Sequence, residues 1–344
     1  MNSKTKDESS QSSTSKKNIA VSVVIPNWNG KKFLEACLPS LKIQTFKNFE
    51  VIIVDNGSND GSLEYITSGF PDYKIISLPK NIGFSPAVNL GIEKAVGEYI
   101  FLLNNDTKVD KKCIEELVKV LDKKKDVGMV AAKMLNFYNP KIIDSAGDYI
   151  DVVGHANNIG LGEKDSAEFN KEGYVFLVTG GGSLIRRKMF EKVGLFDNDY
   201  FAYFEDVDLG LRAQMQGFKG YYQPKAVIHH IHMATSKRNP EFKEYLQYRN
   251  MTQTIIKDFP KGLLLKDWNW LRALLVNLNT VRYLFSVGYG MAALKAELYV
   301  ITHIFVLLRK RREVMRKKVV SDEYIIENFR RKDFKNPLLK KIFG

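Results

Sequence analysis

The hydrophobic positions in the first third of the chain alternate between short apolar runs and stretches with helical spacing. Runs at 19–26, 49–54, 73–78 and 99–103 are rich in Val, Ile and Leu, a composition typical of buried strands in a parallel sheet. Between and after them, 31–44, 86–96 and 110–123 carry apolar residues three or four positions apart, which predicts helices. The alternation predicts an α/β fold, built as a doubly wound sheet that binds ligands at the carboxyl ends of its strands.

The second half of the chain has a less regular pattern. Between 128 and 235 it predicts short strands, a glycine-rich turn at 179–182 and a helix near 207–216. Beyond Pro260 a long apolar stretch is interrupted by charges such as Lys266, Arg272 and Glu297, so it contains no uncharged span of about 20 residues. This stretch predicts amphipathic helices that lie on a membrane rather than cross it.

Composition and charge narrow the class of protein. The 344 residues are 44% hydrophobic and 26% charged, as in a folded globular protein. The net charge is +13, and much of the excess lies from Arg309 onwards, after the apolar stretch, which favours an anionic membrane surface over a nucleic acid as partner. Cys37 and Cys113 lack metal-site spacing, and 1–18 is a polar stretch without an apolar signal core, which predicts a disordered leader. We expect a cytoplasmic location, with peripheral contact at the inner face of the cell membrane as an option.

Polar residues follow the ends of three predicted strands, where the sheet would present them at one edge. Asn27 follows the first strand, Asp55 the second and Asp106 the fourth. Release of a nucleotide diphosphate needs a divalent cation to neutralise the leaving group, and Asp106 is a candidate ligand for Mg²⁺ or Mn²⁺. An Asx turn is the alternative for Asp106. Asp55 would hydrogen-bond the base or ribose of a nucleotide, cap the following helix, or do both.

An acidic cluster lies at the start of the helix predicted near 207–216. Glu205, Asp206 and Asp208 directly follow a segment that contains four aromatic residues. Their charges suit a helix N-terminus, which is the simpler interpretation. Partial burial among aromatic rings would also raise a carboxylate pKa, as a general base acting on a sugar hydroxyl requires.

A histidine cluster follows the candidate strand at 226–228. His229, His230 and His232 predict at least one ligand to a metal or a phosphate. Further candidate phosphate contacts come directly after them: Thr235, Ser236, Lys237 and Arg238. The glycines at 180–182 would let an acceptor or sugar approach the backbone closely, although a tight turn alone also accounts for them.

Seven motifs occur in an order and spacing that resemble those of the family 2 glycosyltransferases, and among them the rhamnosyltransferase-like branch. They are SVVIPNWNG (22–30), VDNGSNDGS (54–62), NIGFSPAVNLGI (81–92), LLNNDT (102–107), VTGGGSLIRR (178–187), GLFDNDYFAYFEDVDLGLRAQMQGFKGYYQP (194–224) and VIHHIHMATS (227–236). The resemblance implies a GT-A type glycosyltransferase domain with a doubly wound mixed sheet over 19–258, with a nucleotide-sugar half at 19–127 and an acceptor half at 128–258. A basic, amphipathic helical region at 259–344 would follow it.

The resemblance also implies roles for individual residues in an inverting, metal-dependent transfer by single displacement. Asp206 would be the general base, and Asp106 and His230 would bind the metal. The donor would contact Pro26, Asn27, Asn29, Asp55, Asn56, Gly83, Phe84, Asn89 and Asn105. The acceptor side would include Gly181, Gly182 and Glu205. The chain departs from the family's D-x-D signature, since Asn104 stands at the first acidic position; we interpret this amide as a mark of the subfamily.

These features predict an inverting glycosyltransferase that moves a sugar to a hydroxyl of a glycan or lipid-linked acceptor. Rhamnose from dTDP-rhamnose is one candidate, and UDP-, GDP- and other dTDP-sugars are alternative donors. A homo-oligomer is a further option that the sequence does not decide. The alternative is a catalytically silent binding module with the same fold, or a membrane-docked scaffold in glycan assembly. A nucleotidyltransferase would need a basic glycine-rich loop after the first strand, where the chain has IPNWNGKK. A nucleic-acid partner is not expected, because the α/β region has no basic stripe interleaved with aromatic residues.

Overall fold

The computed structural model describes residues 19–231 and 239–330, and its centre is a β-sheet. The first six strands are β1 (Val21–Asn27), β2 (Phe49–Asp55), β3 (Lys74–Ser77), β4 (Tyr99–Leu103), β5 (Thr107–Val109) and β6 (Val127–Asn136). The others are β7 (Ile143–Ser145), β8 (Asp148–Ile150), β9 (Ala156–Asn158), β10 (Gly173–Val175), β11 (Gly182–Arg186) and β12 (Lys219–His230). Over the described ranges the sheet has the order β10-β12-β6-β11-β4-β1-β2-β3, with β5 beside β12 and β7 beside β6, and β8 pairs with β9 separately.

The parallel part of the sheet forms the predicted ligand edge. β1 pairs in parallel with β2 on one side and β4 on the other, and Asn27 lies opposite Asp55. β11 pairs antiparallel with both β4 and β6, which makes the sheet mixed. The prediction of an α/β fold with a doubly wound mixed sheet is confirmed.

Helices cover both faces of this sheet. Those of the α/β part are α1 (Lys31–Lys42), α2 (Ser62–Gly69), α3 (Phe84–Lys94), α4 (Cys113–Lys123), α5 (Arg187–Val193) and α6 (Glu205–Met215). Successive residues of β1 point to opposite faces, so Val23 joins the cluster that contains Leu38 of α1, and Val24 joins the one that contains Val88 of α3. All four side chains are fully buried, which fixes the sheet between two helical layers.

A helical region follows the sheet. It contains α7 (Pro240–Asp258), α8 (Lys261–Leu265), α9 (Asn269–Ser286), α10 (Gly290–Thr302), α11 (Ile304–Lys317) and α12 (Asp322–Asn328). α7 packs between α6 on one side and α10 and α11 on the other. Among the described residues, no single helix is both long and apolar enough to cross a bilayer; α10 and α11 pass that test only as a pair, and they are bent by 66°.

Candidate active site

A cavity of about 830 Å³ opens at the carboxyl edge of the sheet. Most of the predicted site residues line it: Pro26, Asn27, Asn56, Gly83, Phe84, Asn105, Asp106, Gly181, Glu205, Asp206 and His230. Four others lie outside its lining: Asn29, Asp55, Asn89 and Gly182. His232 and the candidate phosphate contacts at 235–238 lie outside the described residues.

Asp55 supports the cavity wall from behind instead of facing the cavity. It is 2% exposed, and its Oδ1 accepts a hydrogen bond from Asn27 Nδ2 at 3.0 Å, while its Oδ2 accepts one from the Ser58 backbone N–H at 3.1 Å. Asn27 in turn accepts a hydrogen bond from Asn105 Nδ2 at 2.7 Å. The carboxylate therefore orients two amides that line the cavity and the turn that follows β2.

The loop before α3 forms another part of the cavity wall. Asn56 Nδ2 donates to the Gly83 carbonyl at 3.0 Å, and Asn56 Oδ1 accepts from the Ile82 N–H at 2.9 Å. Gly83 has φ +99°, and a Cβ there would lie 2.7 Å from the Phe201 ring, so this position requires glycine. Asn89 does not face the cavity; its Nδ2 donates to the Phe196 carbonyl at 2.8 Å and ties α3 to the segment before α6.

His230 brings two carboxylates together at the base of the cavity. It lies in β12 opposite Thr107 of β5, not after the strand, and its Nε2 is 3.4 Å from Asp106 Oδ1. Its Nδ1 is 2.7 Å from Asp144 Oδ2, a residue of β7 that the sequence motifs did not indicate. Burial alone would lower the pKa of His230, but the two carboxylates outweigh it and raise that pKa to about 10. Asp106 Oδ1 is buried, and apart from this ion pair with His230 it has no polar partner among the described residues.

The acidic residues at the start of α6 divide into two environments. Asp206 lines the cavity, where its Oδ2 accepts a hydrogen bond from the Gly180 N–H at 2.9 Å and its Oδ1 one from the Val207 N–H at 2.9 Å. Burial raises the pKa of Asp206, although these backbone donors oppose the rise. Burial, reinforced by the negative charge of Asp206, also raises the pKa of Glu205 well above its usual value. Burial therefore outweighs the two backbone donors in its effect on the pKa of Asp206.

Asp208 has a structural environment instead. It is fully buried, and its Oδ2 lies 2.6 Å from Arg212 Nη2, while Lys257 of α7 pairs with its Oδ1. Burial would raise the pKa of Asp208, but the charges of Arg212 and Lys257 outweigh it and lower that pKa. This carboxylate anchors α6 to its neighbours.

The aromatic segment before α6 has a strained backbone. Phe201, Tyr203 and Phe204 have φ of 62°, 68° and 67°, in the left-handed region that non-glycine residues rarely adopt. Asn250 of α7 donates from its Nδ2 to the carbonyls of Tyr200, Ala202 and Tyr203 at 2.9, 2.8 and 2.7 Å. The N-terminal half of α7 also lines the cavity, through Asn239, Phe242, Lys243, Leu246 and Gln247. No motif in the sequence had indicated α7 as part of the site.

Within the described ranges, no three His, Cys, Asp or Glu side chains form a group that would hold a metal ion by themselves. The closest arrangement of the predicted ligands is the Asp106–His230 contact. Two protein ligands are too few for a divalent cation, so a metal here would need further ligands from substrate or water.

The cavity and its sheet can be compared with known proteins. The N-acetylglucosaminyl-diphospho-decaprenol L-rhamnosyltransferase of Mycobacterium tuberculosis is 25% identical over 240 residues, which are 63% of this chain and 78% of that protein. A crystal structure of GalNAc-T7 with UDP, GalNAc and Mn²⁺ superposes with a TM-score of 0.58 at 18% identity, over 72% of this chain and 49% of that one. The mannosyltransferase PcManGT of Pyrobaculum calidifontis, in complex with GDP-Man and Mn²⁺, gives a TM-score of 0.50 at 17% identity, over 90% and 86%.

The two structural likenesses show the fold, and they confirm the predicted GT-A type architecture with a helical region after it. This chain spans about half the length of the GalNAc-T7 chain and most of the length of the other two. The model of the family described as "Glycosyl transferase family 2" matches residues 22–194, from β1 to the end of α5. Since that match covers half of the chain, the protein belongs to glycosyl transferase family 2 and is a glycosyltransferase of that type.

Proposed function

We propose that this glycosyltransferase moves a sugar from a nucleotide-diphosphate donor to a hydroxyl of a glycan or lipid-linked acceptor, with inversion at the anomeric carbon. The observation that carries the proposal is the position of Asp206 in the same cavity as Asp106 and His230. The acceptor hydroxyl must lose its proton as its oxygen attacks the sugar. A carboxylate with a raised pKa, held by the Gly180 N–H, is suited to accept that proton.

The fit of a divalent cation is supported by the buried pair of Asp106 Oδ1 and His230 Nε2, which lie 3.4 Å apart in the cavity. Binding of the cation would displace the proton that the raised pKa of His230 keeps on Nε2. One or two protein ligands together with substrate phosphates are the usual environment of Mg²⁺, and Mn²⁺ also accepts an imidazole. When bound, the ion would offset the negative charge that develops on the departing diphosphate. Asp144 would then orient the His230 ring from its other nitrogen. The two Mn²⁺-bound structural neighbours support the choice of metal.

The amide at Asn104 is consistent with this arrangement. A Cβ added to Gly181 would lie 2.4 Å from Asn104 Nδ2, so the amide packs directly beneath the glycine turn. The Asn104 N–H also donates to the Gly181 carbonyl at 3.1 Å. Asn104 therefore supports the acceptor-side turn, and metal binding would rest on Asp106 and His230 without a first acidic position.

The Mycobacterium tuberculosis relative is named as an L-rhamnosyltransferase, which supports rhamnose as the sugar, and dTDP-rhamnose is the donor that we propose. Its name also contains a diphospho-decaprenol acceptor, which supports a lipid-linked acceptor and peripheral contact with a membrane here. UDP- and GDP-sugars are the competing donors.

The test is a panel of dTDP-, UDP- and GDP-sugars incubated with Mg²⁺, Mn²⁺ or a chelator, with released nucleotide diphosphate as the readout. We expect one donor to be cleaved only when a metal is present. Asp206→Asn should lower transfer by about 10²- to 10⁴-fold, the range of general-base contributions. Asp72→Asn, at an exposed carboxylate outside the cavity, is the matched control and should be unchanged. Equal rates for Asp206→Asn and the control would refute the role of the base, and cleavage of no donor would favour a silent binding module.

A further inference from the structure

Exposed apolar residues recur along α10 and continue on α11, beyond the 66° bend between the two helices. On α10 they are spaced three or four residues apart and share one side of the helix: Met291, Leu294, Leu298 and Ile301. On α11 they are Phe305 and Leu308, and all six are between 46% and 84% exposed. We call these six residues the apolar stripe. The opposite side of α10 already fills the core with Ala292, Ala296 and Val300. Surface helices of globular proteins normally bury such a stripe. The stripe is therefore a second apolar face, additional to the one that packs on the protein.

A similar face lies on α9, which packs beside α10. Trp270, Leu274, Leu278 and Phe285 are each about half exposed, and Trp268 directly before the helix is 65% exposed. Large, contiguous exposed apolar surfaces mark sites of interaction with proteins or membranes. We call the two stripes together the outer face of α9–α11.

Charge decides whether a membrane or a second copy of this chain covers the outer face of α9–α11. Between 266 and 318 the chain has eleven Lys and Arg residues and three Asp and Glu residues. On α11 the apolar stripe passes into exposed arginines on the same side, since Arg312 follows Leu308 by four residues and Arg316 follows Arg312 by four. A second copy of this chain would bring a similar positive surplus against this one, whereas anionic lipid head groups complement it. Trp268 and Trp270 are also residues typical of the membrane–water interface.

We propose that the outer face of α9–α11 docks on the anionic surface of a lipid bilayer. The apolar stripes would lie among the head groups and upper acyl chains, and Arg309, Arg312 and Arg316 would contact lipid phosphates. α10 and α11 pack on α7, whose N-terminal half lines the cavity. The docked layer is thus separated from the acceptor side of the cavity by one helix, which would bring a lipid-linked acceptor to Asp206; this consequence rests on the function proposed above.

The test is flotation of the full chain with vesicles of phosphatidylcholine alone or mixed with phosphatidylglycerol. We expect binding to the mixed vesicles that weakens as salt is added. The triple variant Arg309→Gln/Arg312→Gln/Arg316→Gln should bind about a hundredfold more weakly, given the usual contribution of a basic residue near an anionic surface. Leu298→Ser/Phe305→Ser should lose binding even at low salt. The matched control Lys141→Gln/Lys164→Gln/Lys171→Gln removes three exposed charges elsewhere and should bind like the wild type.

Two further measurements distinguish docking on lipid from unfolding and from self-association. Donor hydrolysis without acceptor or vesicles should be equal in all variants, so a loss of binding would not reflect unfolding or a failure of the transferase proposal. Sedimentation velocity measures the oligomeric state. No binding to the mixed vesicles, or binding that the arginine variant leaves unchanged, overturns the proposal. So does a dimer that the Leu298→Ser/Phe305→Ser variant dissociates in the absence of any vesicle binding, which would assign the face to a second copy.

Discussion

Asn250 is predicted to hold the strained segment in front of the proposed base. Its side-chain amide is fully buried and donates to three backbone carbonyls, those of Tyr200, Ala202 and Tyr203. Each left-handed non-glycine residue in this segment costs about 1–2 kcal/mol relative to a relaxed backbone. The segment keeps its conformation because α7 supplies hydrogen bonds that a relaxed backbone would lose. Truncating Asn250 should therefore release it.

The magnitude follows from the bonds that Asn250→Ala removes. The Tyr200 carbonyl keeps a partner, because Arg249 Nη2 donates to it at 2.9 Å. The carbonyls of Ala202 and Tyr203 lose the amide N–H, and Arg249 Nε and Gln253 Nε2 lose Asn250 Oδ1, which accepts hydrogen bonds from them at 2.9 and 3.0 Å. Each group left without a partner costs about 1–3 kcal/mol where it is buried. Alanine regains about 0.6 kcal/mol of helix propensity. We expect a net loss of about 3 kcal/mol or more in the free energy of unfolding.

The assay combines urea unfolding with steady-state kinetics. Asn250→Ala should lower kcat by about tenfold or more, because Asp206 follows the released segment, while equilibrium binding of the nucleotide should change little. Asn269→Ala is the matched control: Asn269 is also buried in a helix, but its amide donates to a single carbonyl, that of Leu263, at 2.9 Å. It should cost about 1 kcal/mol and leave kcat unchanged. The reasoning fails if Asn250→Ala is no less stable than this control, or if it is less stable but transfers sugar at the wild-type rate.

Three further predictions concern single positions. Burial, and after it the charge of Asp206, raises the pKa of Asp148 to about 8, so the folded state keeps a proton that the unfolded state releases. The free energy of unfolding of the wild type, measured in urea, should therefore fall relative to that of Asp148→Asn by roughly 1 kcal/mol per pH unit between about pH 4 and pH 8. Parallel pH profiles of the two proteins would contradict this. Gly83→Ala should lower the Tm and weaken donor binding, because its Cβ would meet the Phe201 ring at a positive φ; an unchanged Tm would exclude the clash. Arg212→Met should lower the free energy of unfolding by about 3 kcal/mol at pH 7, because it leaves the buried Asp208 without its ion-pair partner. This loss should shrink as the pH falls below about 4 and Asp208 is protonated. A loss that does not depend on pH would count against the ion pair.

The parallel half of the fold could be predicted from sequence because each of its elements carries a local signal. The apolar run at 99–103 became β4 with the same bounds. α1 begins at its predicted residue and ends two residues earlier, and α3 begins and ends two residues earlier than predicted. Local sequence patterns do not predict the end of a strand whose length is set by pairing with strands far away in the sequence. His229 and His230 were expected after a strand, but β12 continues through them because β5 and β6 pair with it on either side.

α7 was not predicted because its buried side is polar. Among its buried residues are Arg249, Asn250, Gln253, Thr254 and Lys257, so the periodicity of apolar residues that marks an amphipathic helix is absent. For the same reason no pattern in the chain indicated that α7 lines the cavity. Asp144 was not predicted because a lone aspartate in a short strand has no spacing to mark it, and only the pairing of β7 with β6 brings it to His230.

The polar core of α7 also shows why the helical region is more than an attachment to the catalytic domain. Lys257 of α7 pairs with Asp208 of α6 and lies 2.8 Å from Asp197, and Lys310 of α11 lies 2.7 Å from Asp197 and 2.7 Å from Asp199. Burial would raise the pKa of Asp197, but these two lysines outweigh it and hold that pKa well below its usual range. Apolar side chains at these positions would stabilise the fold as well or better. Unlike apolar contacts, buried ion pairs require one relative position of the charged groups. We therefore interpret this network as the feature that fixes α6, α7 and α11 relative to one another.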